Sequence, residues 1–293
     1  MVQQLVAEVV VDTPSEHAEG PLWSAEDGAL LWVDQYWGRV LRAVPGGSAA
    51  PEVVAEVGGP IGAIVPAAGG GWAVAANDGF ALLGRDGALA PVADVLPDDG
   101  IARRMNDGKC DADGAFWAGS IAFGKQRGVA ALYRLRDGVA EEMLSGLTIS
   151  NGLAWSADDR SFFFTDTPEQ TVRRFAFSPS GDLVDPVEVV RIDPDVGSPD
   201  GMCIDREGTL WVAVWGAGAV HRYAPTGELL ARVEVAAPQV SSCCFGGEDL
   251  RTLFITTSRE GYGDRDVAAH PTAGSIFAVD TDAHGLLPQP YRG

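Results

Sequence analysis

The chain has 293 residues, 46% of them hydrophobic, and 41 acidic against 21 basic side chains give it a formal net charge of -20. That apolar content can bury a sizeable core, while the acidity argues against nucleic acid or an anionic membrane as partner, because both are densely negative. The four cysteines, Cys110, Cys203, Cys243 and Cys244, include no CxxC pair; a disulfide framework and a zinc ribbon are excluded, and buried thiols in a reducing compartment are expected.

The segment from Met1 to Val11 lacks the basic start and apolar stretch of a signal peptide. No apolar run reaches membrane-spanning length, so a soluble cytoplasmic protein is expected. Residues 5–11 read as a strand without a neighbour of their own. From Glu19 onward one phrase recurs: a small or polar turn, a Gly, a few apolar residues, a hairpin turn and an aromatic strand. The copies run from Glu19-Gly20 to Trp32, Ile61-Gly62 to Trp72, Asp107-Gly108 to Trp117, Asn151-Gly152 to Phe164 and Asp200-Gly201 to Trp211. A sixth, Ser242-Cys243 to Phe254, keeps the phase without the Gly. The aromatic anchors lie 40, 45, 47, 47 and 43 residues apart. Asp-Gly pairs at 27, 78, 86, 113 and 137 supply hairpin turns, since Gly accepts positive φ without a Cβ clash. No segment carries a long 3.6-residue apolar period, so helix should be scarce.

Each repeat has room for about four strands, the size of a propeller blade. The expected fold is all-β: a single domain over residues 1–293, built as a six-bladed β-propeller closed by strands from both termini. The last repeat offers strands near residues 240–245, 252–256 and 275–279, and residues 5–11 would be its fourth, which leaves no open edge. In such a ring the residue before each Gly faces the axis. Glu19, Ile61, Asp107, Asn151, Asp200 and Ser242 hold that position, and their oxygens suit a hard divalent cation. Carboxylates gathered there would otherwise repel one another. The four His show no ligand spacing; His17, two residues before Glu19, reads as a surface residue, with a place near the site as the alternative. Of Arg103 and Arg104, one facing the funnel would anchor an oxygen-rich or anionic substrate.

Five segments carry a family resemblance: Glu19-Gly20-Pro21-Leu22-Trp23, Arg104-Met105-Asn106-Asp107-Gly108-Lys109, Ser150-Asn151-Gly152-Leu153-Ala154-Trp155-Ser156, Pro199-Asp200-Gly201-Met202-Cys203-Ile204-Asp205 and Cys243-Cys244-Phe245-Gly246-Gly247. Together they resemble the gluconolactonase, senescence-marker-protein and luciferin-regenerating-enzyme family. The resemblance implies one catalytic divalent cation (Ca, Zn, Mg or Mn) held by Glu19, Asn151 and Asp200, with Asp200 also the general base. It implies substrate contacts from Arg104 and Asn106, and it leaves Asp107 as a channel residue beside them. The substrate would be a lactone, in the first place a sugar (aldono-)lactone such as gluconolactone. Where some members carry a carboxylate that contacts sugar hydroxyls, residues 119–124 have none, and Phe123 would make that wall less polar. A phosphotriesterase-like or general ester hydrolase is therefore an open alternative, as is a non-catalytic calcium-binding propeller.

Overall fold

The computed structural model describes residues 1–178 and 180–293. Six sheets form six blades, each with four antiparallel strands, and the innermost strands are Ala18–Ser24, Ile61–Pro66, Arg103–Cys110, Ser150–Trp155, Ser198–Ile204 and Val240–Gly246. Each inner strand packs on the next, and the sixth returns to the first, so the ring is closed. One short helix, Asp264–Ala269, and one 3-10 turn are the helical elements among the described residues.

Closure uses both ends of the chain. Glu8–Val11 pairs antiparallel with Ile276–Asp280 and becomes the outer strand of blade six. The segment expected as one strand is in fact two, interrupted at Ala7. Its first part, Gln3–Val6, pairs parallel with Leu229–Glu234 and adds a fifth strand to blade five. Two blades are thus stitched by one terminus. The C-terminal tail makes a second brace. Gly285 N–H donates to Leu250 O at 2.8 Å, Tyr291 N–H to Pro66 O at 2.8 Å and Arg292 N–H to Gly114 O at 3.0 Å. The tail therefore runs as a chord across one face of the ring, from blade six to blades two and three.

The core is distributed over the junctions between blades. Trp117 of blade three packs with Leu153, Phe162 and Phe164 of blade four; Trp32 of blade one packs with Phe254 and Ile276 of blade six; Trp211 of blade five packs with Phe245 and Phe277 of blade six. All three Trp side chains are fully buried. A buried indole N–H usually finds an acceptor. Asp111 Oδ2 accepts from Trp117 Nε1 at 2.8 Å, and Asp205 Oδ2 accepts from Trp211 Nε1 at 3.0 Å. The same two hairpin acids receive the N–H groups of Ala115 and Thr209, so one side chain fixes both the turn and the anchor.

All six inner strands break register at the recurring phrase: between Glu19 and Leu22, Ile61 and Ala63, Met105 and Gly108, Asn151 and Leu153, Pro199 and Met202, and Val240 and Ser242. A bulge inserts unpaired residues and re-aims side chains. The glycines serve close approach between blades. A Cβ on Gly62 would stand 2.3 Å from the carbonyl oxygen of Asn106, and one on Gly152 (φ +25°) would stand 2.5 Å from that of Asp200.

Candidate metal and substrate site

Two cavities lie at opposite ends of the channel. The upper one, about 200 Å³, is bounded by residues at or near the beginnings of inner strands of blades one, three, four and five, and by the ends of the second strands of blades three to six with the loops after them. The lower one, about 270 Å³, is bounded by the ends of the inner strands and by residues 286–289 of the tail.

Glu19 from blade one, Asn151 from blade four and Asp200 from blade five line the upper cavity, together with Arg104 and Asn106 from blade three. All five side chains are buried. Strand alternation separates the two arginines. Arg103 turns outward into a two-pronged bond with Asp99, at 2.6 and 2.9 Å. Arg104 turns inward: its Nη1 donates to Asn106 Oδ1 at 2.5 Å, its Nη2 to the Tyr36 hydroxyl at 3.3 Å, and the guanidinium lies 5.1 Å from the Tyr36 ring. Asn106 Nδ2 donates to Ser150 O at 2.8 Å and to Asn151 Oδ1 at 3.3 Å, and Asn151 Nδ2 donates to Thr167 Oγ1 at 3.1 Å. These bonds point the Asn151 carbonyl oxygen toward Asn106 and hold the pair in one orientation.

The acidic members are under electrostatic tension. Burial, then the charges of Asp200 and Asp107, push the Glu19 carboxyl well above its ordinary range. Burial, then Asp107 and Glu260, do the same to Asp200. Asp200 Oδ1 is buried without a hydrogen-bond partner, while Glu19 Oε2 accepts from the N–H of Gly20 at 3.0 Å. Two crowded carboxylates, one with an orphaned oxygen, and an adjacent carboxamide form an all-oxygen donor set that fits a hard divalent cation. No cluster of three His, Cys, Asp or Glu side chains forms a metal centre among the described residues; the third donor here is the amide oxygen of Asn151.

The remaining positions of the phrase go elsewhere. Asp107 and Ser242 line the lower cavity, and Ile61 is buried in the junction between blades one and two. In blade three both Asn106 and Asp107 fall inside the bulge, so neighbouring side chains serve opposite ends of the channel. His17, expected at the surface, is buried and lines the upper cavity. Its Nδ1 is 2.7 Å from Ser258 Oγ and its ring meets Trp215 edge-on. Burial, then the Arg104 charge, lower its pKa to about 3, so it is a neutral wall. Phe123 does not form the expected apolar wall: it stands half-exposed, and that stretch presents Ile121 and Lys125 instead. Tyr36, Lys125, Trp215 and Glu260 escaped sequence reading altogether. Lys125 Nζ stands 3.4 Å from Glu260 Oε1, and Tyr36 donates its hydroxyl to the same oxygen at 2.9 Å. Trp215 ends its blade's second strand and the other three follow theirs, with loops that differ in length, so no fixed spacing marks them.

The architecture is that of a six-bladed propeller whose one mouth presents buried oxygen donors beside a fixed guanidinium. Residues 17–259 match the family described as the SMP-30/Gluconolactonase/LRE-like region, and the chain belongs to that family. Regucalcin of Danio rerio is 34% identical over 301 residues, with both chains fully covered. A Bacillus subtilis protein, provisionally named sugar lactone lactonase YvrE, is 34% identical over 286 residues, covering 96% of this chain and 97% of that one. Among solved structures, a luciferin-regenerating enzyme superposes with a TM-score of 0.89 at 26% identity, covering 98% of this chain and 99% of that chain.

Proposed function

We propose that the protein is a lactonase that depends on one divalent cation and opens a small sugar lactone. The supporting observation is the convergence of Glu19, Asn151 and Asp200 with Arg104 and Asn106 on one cavity of about 200 Å³. Membership of a family that includes gluconolactonases and the name of the Bacillus subtilis relative agree with it. Glu19, Asn151 and Asp200 would hold the cation, which supplies Lewis-acid polarisation of the lactone carbonyl.

The chain's own residues do the rest. Arg104 and Asn106 take the exocyclic oxygens of the lactone, and because both are already braced, by Tyr36 and Ser150 respectively, little ordering is left to the moment of binding. Asp200 takes the proton from the attacking water with whichever oxygen is not a ligand. His17, Trp215, Ile121 and Ile149 exclude bulk water from the sides. Lys125, Glu260, Thr167 and Ser198 give the cavity a polar lining suited to hydroxyl groups, which favours a sugar lactone over an aryl ester or phosphotriester.

The test is metal-stripped protein assayed for acid release on a sugar lactone, an aliphatic lactone and an aryl phosphotriester, with Ca, Mg, Mn or Zn added back singly. Turnover of the sugar lactone restored by one of these ions is the expected result. Tight cation binding with no turnover on any substrate would leave a binding propeller in its place.

A further inference from the structure

We propose a second small-molecule site in the lower cavity, one that takes a one-ring aromatic amine or alcohol. This inference does not rest on the hydrolytic reading of the upper cavity. The lower cavity is the larger of the two, about 270 Å³, just under the roughly 300 Å³ at which drug-sized sites begin. A single ring with a short chain is the occupant of that scale. Trp23, Trp155 and Phe245 supply aromatic walls, and Leu286 and Leu287 of the tail close the outer side.

Two polar groups in this apolar chamber are buried without partners: Asp107 Oδ2, an acceptor, and Trp155 Nε1, a donor. The other Asp107 oxygen is taken by the Gly108 N–H at 2.8 Å. The ammonium of Lys109, which also lines the chamber, donates one hydrogen bond to Met202 O at 2.6 Å. An unmade hydrogen bond on a buried polar atom costs about 1–3 kcal/mol, and both residues line the same cavity. A hydroxyl has the chemistry for either group, donating to Asp107 or accepting from Trp155. An ammonium donates to Asp107 and adds charge attraction, which a second carboxylate, Asp159, reinforces. An ionised aromatic acid has no hydrogen to donate to Asp107 and is disfavoured. The tail that roofs the chamber is pinned on both sides, by the Gly285 and Tyr291 hydrogen bonds, so the roof is part of the folded ring.

The experiment titrates phenethylamine, 2-phenylethanol and phenylacetate into the full chain by calorimetry. Saturable one-to-one binding of the amine and the alcohol is expected, with phenylacetate at least tenfold weaker. Ala112→Trp, which fills the rim of the chamber, abolishes binding; Leu287→Trp serves the same purpose from the roof if the first variant does not fold. Asp107→Asn removes the preference of amine over acid while leaving the ring pocket. Absence of saturable binding, equal binding of amine and acid, or unchanged binding in a folded plugged variant each overturns the proposal.

Discussion

Asp200→Asn separates the chemistry of the site from its architecture. The carboxamide has the shape of the carboxylate, so the inner strand and its neighbours keep their places. The native carboxylate is buried with Oδ1 unpartnered and is crowded by Asp107 and Glu260; neutralising it removes an unfavourable buried charge. The metal-free variant should therefore melt no lower than the metal-free native protein. What is lost, on the proposed mechanism, is the base. A positioned general base contributes roughly 10²–10⁴-fold, or about 2.7–5.5 kcal/mol at 1.36 kcal/mol per decade. The assay is acid release at saturating cation and saturating lactone, so that weakened metal binding does not pass for lost chemistry. Turnover within about threefold of the native rate would remove Asp200 from proton transfer and shift that role to another group.

The donor set predicts metal-linked stability: the added cation raises the melting temperature, by about 2.7 kcal/mol of stabilisation at a hundredfold excess over Kd, and Asn151→Ala, followed by calorimetry, abolishes the rise. Gly62→Ala would push a Cβ to 2.3 Å from the Asn106 carbonyl oxygen and 2.6 Å from its nitrogen; a loss of roughly 1–3 kcal/mol is expected, with KM raised more than kcat falls because Asn106 is displaced. His221 is buried beside the Tyr223 hydroxyl, 3.0 Å away, and burial, then the Arg232 charge, lower its pKa from 6.5 to about 4. The unfolded chain therefore binds the extra proton between these values, so stability is full above pH 6.5 and falls as the pH drops toward 4, by of order 1–3 kcal/mol after allowance for solvent screening. His221→Gln flattens that slope in urea melts; an unchanged slope would show that other groups set the acid limb.

The six blades are legible because their two markers have local causes. Asp-Gly turns follow from the conformational freedom of Gly, and one aromatic per repeat follows from the need to fill each blade junction. The oxygens of Glu19, Asn151 and Asp200 are legible because a bulge recurs at the same phase in every inner strand. Phase alone does not say which end of the channel a bulged residue faces, and so Asp107 and Asn106 are separated only by the folded chain. The rim residues Tyr36, Lys125 and Glu260 depend on loops of unequal length, and His17 depends on what Ser258 and Trp215 place around it. Phe123 shows the same limit from the other side: the stretch is located correctly, but its side chain points away from the cavity.

The stitched terminus sets an order of events during synthesis. Glu8–Val11, made before any blade, find their partner only when Ile276–Asp280 has been made. Until then the nascent chain holds an unfinished circle, with a strand edge exposed on blade six and another waiting at the front. The last contacts to form are also among the most distant in sequence, and such pairings are slow. Once joined, the circle opens only by breaking a sheet or a packed junction, so the protein trades a late, hazardous completion for resistance to unravelling from either end.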